Sequence, residues 1–330
     1  MQKKLKDLSC IDIREDYLSY ISPEVLETLL RDHTTGRNIF WATHDYEELG
    51  TMYNYHSEIL PELITGNNGM VIMPRVLKSK KNQTIRVKGM AEVFTPSWVC
   101  NAQNNLIDNA WFGRKNVFNI ENEKEHSWKT ISKKITFPED KSWKDYVRAT
   151  RLEIACGEAP YLVSRYDTTT GVPIPIEQRI GLLDRKLRIV SENTETTGDW
   201  LDWAQVAYKN TYAYEWQGDN LLLAREALLW TFIEYYQAKF QKAPLVRSIK
   251  YIAYIISWNL WQMDGLKGVV PDSCKNDIKE KVPTLFGEEE HTIHCKGCQH
   301  NDIQKHNGTY CVLRDWANRK KISFIDLLKK

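Results

Sequence analysis

A chain of 330 residues with a formal net charge of +2 is long enough for one large domain with additions, and it can bury a substantial core. The charge is too small to identify a nucleic-acid-binding protein by itself, because phosphate contacts need local basic surface rather than net charge. No apolar run reaches the roughly 18 to 20 residues of a membrane span, and no signal-peptide core follows the basic first residues. We therefore expect a cytoplasmic protein without a membrane partner.

The first part of the chain, residues 1–90, contains short helical pieces and polar breaks without a sustained hydrophobic period. It is predicted to be an N-terminal extension packed on the main domain. A basic run near its end has two open interpretations, contact with phosphates and a solvated loop. The run consists of Arg75, Lys78, Lys80, Lys81, Arg86 and Lys88.

The middle of the chain, residues 91–271, is predicted to be an α/β domain. Residues 98–111 have helical spacing, and residues 116–142 are charged and turn-rich, which indicates a surface excursion. From Arg151 onward strands and helices alternate, which favours a parallel sheet with helices on its faces. The predicted strands end at Ala155, Glu215 and Asp264; the predicted helices cover the stripe Ile176–Val190 and residues 200–209, 220–240 and 245–257.

All three of these strand ends carry residues suited to a nucleotide-like cofactor. Such a cofactor binds outside the carboxyl ends of parallel strands, where a glycine turn allows close backbone approach and a carboxylate binds the ribose hydroxyls. Gly157 follows the first strand and Glu215 ends the second. Asp264, at the end of the third strand, is an acceptor-only group that suits an exocyclic amine.

These residues occur in a recognisable order. Phe94-Thr95-Pro96, then Glu153-Ile154-Ala155-Cys156-Gly157, then Glu215 and Asp264 resemble the amino-methylating DNA methyltransferases of restriction and modification systems, over residues 85–270. The resemblance implies a Rossmann-like sheet that binds S-adenosylmethionine (SAM). In that family the residue corresponding to Phe94 packs over the methionine end, Glu215 would bind the ribose, and Asp264 the adenine amine. Thr95 and Pro96 would fix the turn, which Glu92 precedes, while Glu153, Ala155 and Cys156 would line the first strand end.

The sequence departs from that family in three respects. Ala159 stands where the family has a second glycine, and the catalytic Asn/Asp-Pro-Pro-Tyr/Phe tetrapeptide is absent from all 330 residues. Downstream of Asp264, only residues 307–310 offer an asparagine and an aromatic residue three positions apart. The roughly sixty residues between the first two strands also imply an inserted helix beyond the single helix of a usual crossover.

Three interpretations of the missing tetrapeptide remain open: a subunit completed by a second polypeptide, a SAM-binding protein without chemistry, and a methyltransferase that uses other residues. The implied function is a SAM-dependent DNA (adenine amino) methyltransferase or methylase subunit, with DNA and a second methylase or specificity subunit as partners. The alternative is an inactive methyltransferase-like module that binds DNA or a partner protein.

The last part of the chain, residues 272–330, is rich in cysteine and histidine. The chain has seven cysteines, an odd number that suits metal binding better than a disulfide framework. A two-residue gap between Cys295 and Cys298 lets one turn present two thiolates to zinc. We predict a structural zinc site formed by Cys295, Cys298, Cys311 and His306, with His300 and Cys274 as alternatives to His306. A polar loop without metal is the competing interpretation.

Overall fold

The N-terminal part of the chain consists of short helices and turns. The computed structural model describes residues 11–80, 83–84, 86–87, 94–276, 278–284 and 287–328, without the side chains of 280–284 and 287–291. Helix α1 spans Glu15–Ile21 and α2 spans Pro23–Leu30, and single turns of 3-10 helix follow. Their apolar side chains, including Leu18 and Leu26, belong to the same hydrophobic core as the central helices.

A second set of elements lies between the Phe94 turn and the central sheet. Helix α3 spans Ser97–Phe112, close to the predicted bounds. Strands β1 (Asn119–Asn122) and β2 (Ser127–Thr130) form an antiparallel hairpin with mostly exposed side chains, as expected of a surface excursion. Helix α4 spans Trp143–Arg148.

Three parallel strands form the central sheet in the order β3-β4-β5. Strand β3 spans Arg151–Glu153, β4 spans Thr211–Glu215 and β5 spans Leu260–Gln262. The α/β class with a parallel sheet, predicted from the sequence, is thereby confirmed. Strand β3 is shorter than predicted because Ala155 has a positive φ of 46°, which takes the backbone out of the extended region.

Two helices lie in each crossover between these strands. Helices α5 (Leu182–Asn193) and α6 (Thr197–Lys209) connect β3 to β4, which confirms the inserted helix. Helices α7 (Gly218–Phe240) and α8 (Val246–Asn259) connect β4 to β5. The helix predicted from Ile176 onward begins only at residue 182. The carboxylate of Asp184 accepts hydrogen bonds from the amides of Ser164 and Gly181, and these bonds fix the start of the helix. Among the described residues no helix has the length and apolar character that a bilayer crossing demands.

The C-terminal segment consists of two antiparallel hairpins and a short helix. Strands β6 (Ile278–Thr284) and β7 (Gly287–Ile293) form the first hairpin, and helix α9 spans Lys296–His300. Strands β8 (Val312–Asp315) and β9 (Lys320–Ser323) form the second.

The two faces of the central sheet are covered differently. Ala213 and Leu260 point into the large core beneath the helices. On the opposite face, Trp261 packs in a smaller cluster with Leu313 and Phe324, which belong to or follow the second C-terminal hairpin. The final segment therefore lies on the sheet.

A buried carboxyl group on α7 makes a testable prediction about stability. Among the residues that the structure describes, neither side-chain oxygen of Glu226 has a hydrogen-bond partner. Burial, together with nearby Glu15 and Asp12, raises the pKa of Glu226 well above its ordinary value. The folded state thus favours the protonated form of Glu226. The contribution of this group to the stability of the protein is present below its pKa in the unfolded chain and is lost as pH rises towards its pKa in the folded protein.

We expect Glu226→Gln to raise the free energy of unfolding at pH 8, by on the order of 2 kcal/mol, and to have a smaller effect at pH 5. Denaturant unfolding at the two pH values measures the difference. Glu234→Gln is the matched control on the same helix. Although burial alone would raise the pKa of Glu234, Arg165 and Arg179 hold it below its ordinary value, so this substitution should destabilise. Equal effects of Glu226→Gln and Glu234→Gln on the free energy of unfolding would contradict a raised pKa of Glu226.

Candidate functional site

The Phe94 turn and the end of β3 meet in space. A Cβ placed on Gly157 would lie 3.7 Å from the ring of Phe94, so the ring packs directly against this glycine. Gly157 has a φ of 52°, in the left-handed region where glycine carries no steric penalty. The guanidinium of Arg75 lies 4.9 Å from the centroid of the same ring. Two segments some sixty positions apart in the sequence thus form one surface.

The turn itself is anchored on both sides. The carbonyl of Thr95 accepts a hydrogen bond from the hydroxyl of Thr168, and the carboxylate of Asp167 accepts one from the amide of Ser97. Pro96 directly precedes α3 and its carbonyl accepts the first helical hydrogen bonds. Glu92 lies outside the described residues.

Glu215 ends β4 beside Gly157. One carboxylate oxygen accepts a hydrogen bond from the amide of Gly157 at 2.8 Å, and the other accepts from the amide of Gln217 at 3.3 Å. Burial raises the pKa of Glu215, while these backbone amides act in the opposite direction. The two oxygens of a carboxylate offer about four acceptor sites, so the group can still accept a hydrogen bond from a hydroxyl group.

The rest of the first strand end is divided between buried and exposed residues. Glu153 is buried and accepts hydrogen bonds from the amides of Tyr161 and Leu162; burial raises its pKa to about 8. Cys156 is buried and Ala155 is exposed. Ala159 has a φ of 61°. The backbone there has the conformation that a glycine would favour, at a cost of about 1–2 kcal/mol for alanine.

Asp264 lies just beyond the end of the neighbouring strand, at the same edge of the sheet. Its carboxylate accepts hydrogen bonds from the amides of Leu266 and Lys267, and the ammonium of Lys267 lies 3.0 Å away. The side chain therefore stabilises its own turn. Glu215 and Asp264 are buried at adjacent strand ends, which follows from the parallel pairing of β4 with β5.

An open cavity of about 950 Å³ lies next to the end of β4. It is lined by Trp216, the residue directly after Glu215, and by Tyr55, whose hydroxyl donates to Asp272 and accepts from the indole of Trp216. His44 and His56 also line it. Sequence reasoning did not find these residues; the position of Trp216 after Glu215 was the only available signal.

The basic run does not form a phosphate-binding surface as a whole. The guanidinium of Arg86 and the ammonium of Lys78 contact the carboxylate of Asp219, at 2.8 and 3.2 Å, where all three side chains are buried. Together with Tyr46 they hold the pKa of Asp219 below its ordinary value, against the effect of burial. Lys80 is exposed, and Lys81 and Lys88 lie outside the described residues. Two of the four described cations of the run, Lys78 and Arg86, therefore neutralise a buried acid.

Four side chains of the C-terminal segment converge on one point. Ligand atoms of Cys274, Cys295, Cys298 and His306 all lie within 4.8 Å of one another. Nδ1 of His306 is 3.5 Å from Sγ of Cys274, 3.5 Å from Sγ of Cys295 and 3.6 Å from Sγ of Cys298. Zinc bonds of 2.0 and 2.3 Å in a tetrahedron would separate nitrogen and sulfur by about 3.5 Å. The cluster can therefore hold a metal ion.

Two neighbouring residues fit this arrangement. A Cβ on Gly297 would lie 2.6 Å from Nδ1 of His306, so the glycine between the two cysteines leaves room for the imidazole. The amide of Asn307 donates to Sγ of Cys295 at 3.3 Å, which stabilises a thiolate there.

The structure corrects one predicted ligand. Cys311 is not part of the cluster: it is buried, and its Sγ lies 3.4 Å from the carbonyl oxygen of Gln262 on β5. Its position follows from the bridge between Tyr310 and Val269, which ties this segment to the sheet. Cys274, an alternative in the sequence analysis, takes the fourth position, and His300 is not in the group.

Comparisons of the chain with protein-family models, with curated proteins and with solved structures gave no match. The geometry described above is therefore the basis for any functional assignment.

Proposed function

We propose that this chain is the SAM-binding polypeptide of a DNA amino-methyltransferase of a restriction and modification system, acting on adenine. The observation that carries the proposal is the contact between Phe94 and Gly157, together with the hydrogen bond from Gly157 to Glu215. Three segments that the resemblance links to one cofactor thus share the carboxyl edge of a parallel sheet, where nucleotide cofactors bind.

The roles of the residues follow from their positions. Glu215 would accept hydrogen bonds from the ribose hydroxyls, and Phe94 would cover the methionine end. The cavity beside Trp216 offers aromatic side chains against which an adenine ring can pack. SAM would supply a methyl group on a positively charged sulfur, which is reactive towards an amine. Because the catalytic tetrapeptide is absent, a second polypeptide would have to orient the target base.

We also propose that zinc occupies the cluster of Cys274, Cys295, Cys298 and His306. Protein side chains would fill all four coordination positions of the zinc ion, which is typical of structural rather than catalytic zinc. The metal would fix the first C-terminal hairpin and α9 relative to the sheet.

Transfer of label from radioactive SAM to duplex DNA tests the transferase proposal, using the chain alone and mixed with the products of neighbouring genes. We expect labelled DNA only in a mixture that includes a polypeptide carrying the catalytic tetrapeptide Asn/Asp-Pro-Pro-Tyr/Phe. Absence of label in every mixture, although SAM binds, would favour the second candidate, an inactive module that binds DNA or protein. The missing tetrapeptide motivates that candidate. It requires DNA binding that falls steeply with salt and does not respond to SAM.

A further inference from the structure

The guanidinium of Arg75 is a cation without a partner. Its Nε atom is buried and makes no hydrogen bond within the described part of the chain, where no carboxylate forms an ion pair with the group either. The residue is half-buried, and its two terminal nitrogens, which also lack a partner there, are not fully enclosed. Because buried polar groups in proteins normally have partners, an unpaired guanidinium of this kind indicates a place for an anion.

The backbone of Arg75 is held next to the end of β3. Its amide donates a hydrogen bond to the carboxylate of Glu158 at 2.7 Å, and its carbonyl accepts one from the side-chain amide of Gln83 at 3.0 Å. Glu158 directly follows Gly157 in the sequence. These bonds fix the position of Arg75 beside the glycine turn and leave the charge of its side chain uncompensated.

Arg75 extends the row of residues that carries the proposed cofactor site. The amide of Gly157 donates to the carboxylate of Glu215, and the ring of Phe94 packs against Gly157. The guanidinium of Arg75 lies 4.9 Å from the centroid of that ring. A cation–π contact satisfies none of the N–H donors of a guanidinium and supplies no counter-ion. The row therefore has a carboxylate at one end and an unpaired cation at the other.

The part of SAM outside the adenine ring has matching groups at its two ends. The ribose hydroxyls at one end can donate to a carboxylate, and the methionine part ends in a carboxylate of its own. A guanidinium binds a carboxylate through two parallel N–H···O hydrogen bonds. If Glu215 binds the ribose and Phe94 covers the methionine part, the carboxylate of the ligand comes next to Arg75.

We propose that Arg75 binds the carboxylate of the methionine part of SAM and makes the site selective for ligands that carry this carboxylate. The inference rests on the proposed function, because it concerns another group of the same ligand. It gives Arg75 a role distinct from those of Lys78 and Arg86, the members of the basic run that neutralise Asp219.

Calorimetric titration of the full chain with SAM and with decarboxylated SAM tests this inference. The second ligand lacks only the carboxylate, so the ratio of the two affinities reports on that group. We expect SAM to bind at least about tenfold more tightly, because charge-assisted hydrogen bonds to the guanidinium are lost with the carboxylate.

Arg75→Met removes the charge and keeps a side chain that can pack on the ring of Phe94. It should weaken SAM binding by about tenfold or more and leave the affinity for decarboxylated SAM unchanged. The matched control is Lys80→Met, which removes a positive charge at an exposed position of the same basic run. This control should leave the ratio of the two affinities as it is in the unaltered chain.

Two results would overturn the inference and leave the cofactor site in place. The first is equal affinity of the unaltered chain for SAM and decarboxylated SAM, a comparison that needs no variant and does not depend on whether Arg75→Met folds. The second is equal weakening of both ligands by Arg75→Met. Absence of binding by either ligand would overturn the proposed function and this inference together, so the two kinds of failure are distinguishable.

Discussion

Replacing Cys295 with serine is expected to abolish stoichiometric zinc binding. The substitution removes one of the thiolates that surround Nδ1 of His306. The same sulfur also accepts a hydrogen bond from the amide of Asn307. Structural zinc binding is coupled to folding, so we expect zinc affinity to fall by more than about a hundredfold and the C-terminal segment to become sensitive to proteases. Zinc per chain after dialysis, measured by mass spectrometry, gives the result.

Cys311→Ser is the matched control for that experiment. Cys311 lies in the same C-terminal segment but contacts Gln262 on the sheet, so its replacement should leave one zinc per chain. Cys274→Ser should behave like Cys295→Ser. Retention of zinc by Cys274→Ser with loss in Cys311→Ser would show that the ligand set predicted from the sequence was right and that the observed cluster is not the metal site.

Replacing Gly218 with alanine is expected to destabilise the whole chain. Gly218 begins α7, its amide donates to the carbonyl of Trp41, and an added Cβ would fall on the carbonyl oxygen of Phe40. Because backbone atoms cannot move aside as a flexible side chain can, either the N-terminal segment or the helix start must shift. We expect a loss of about 2–4 kcal/mol in the free energy of unfolding, measured by denaturant titration.

Gly198→Ala provides the comparison, since Gly198 also lies in the first turn of a helix. A Cβ there would meet no atom closer than Oγ1 of Thr196 at 3.9 Å. Alanine is the better helix former, so this substitution should be neutral or stabilise by up to about 1 kcal/mol. Equal stabilities of the two variants would mean that the N-terminal segment does not pack on α7 as described.

The local elements were the most predictable part of this fold. Strand β4 ends at Glu215, as predicted, and alternate residues along it face the core and the smaller cluster. Helices α6, α7 and α8 begin and end within about three residues of their predicted limits. Helix α7 is buried along almost its whole length, so a long apolar segment marks it rather than one apolar face. The residues that cover the sheet edge were not predictable, because contacts such as Phe40 to Gln262 and Tyr55 to Asp272 join distant parts of the chain.

The metal ligands, too, were only partly predictable from the sequence. The spacing of Cys295 and Cys298 marks a ligand pair by itself. The choice between Cys274 and Cys311 depends on tertiary structure: pairing of β6 with β7 brings the flanking residues together, so that the amide of Cys295 donates to Asn276. Spacing alone does not contain that information, because both cysteines lie within reach along the sequence.

Calorimetric titration of SAM into the purified chain tests the central claim most directly. We expect one binding site of about micromolar affinity. Glu215→Gln, which keeps an acceptor for the amide of Gly157 but removes the charge, should weaken binding by about tenfold or more, because charged acceptors form stronger hydrogen bonds. Glu195→Ala, an exposed glutamate elsewhere, should have no effect. Absence of binding, or binding that Glu215→Gln leaves unchanged, would contradict a cofactor site at the carboxyl edge of the sheet.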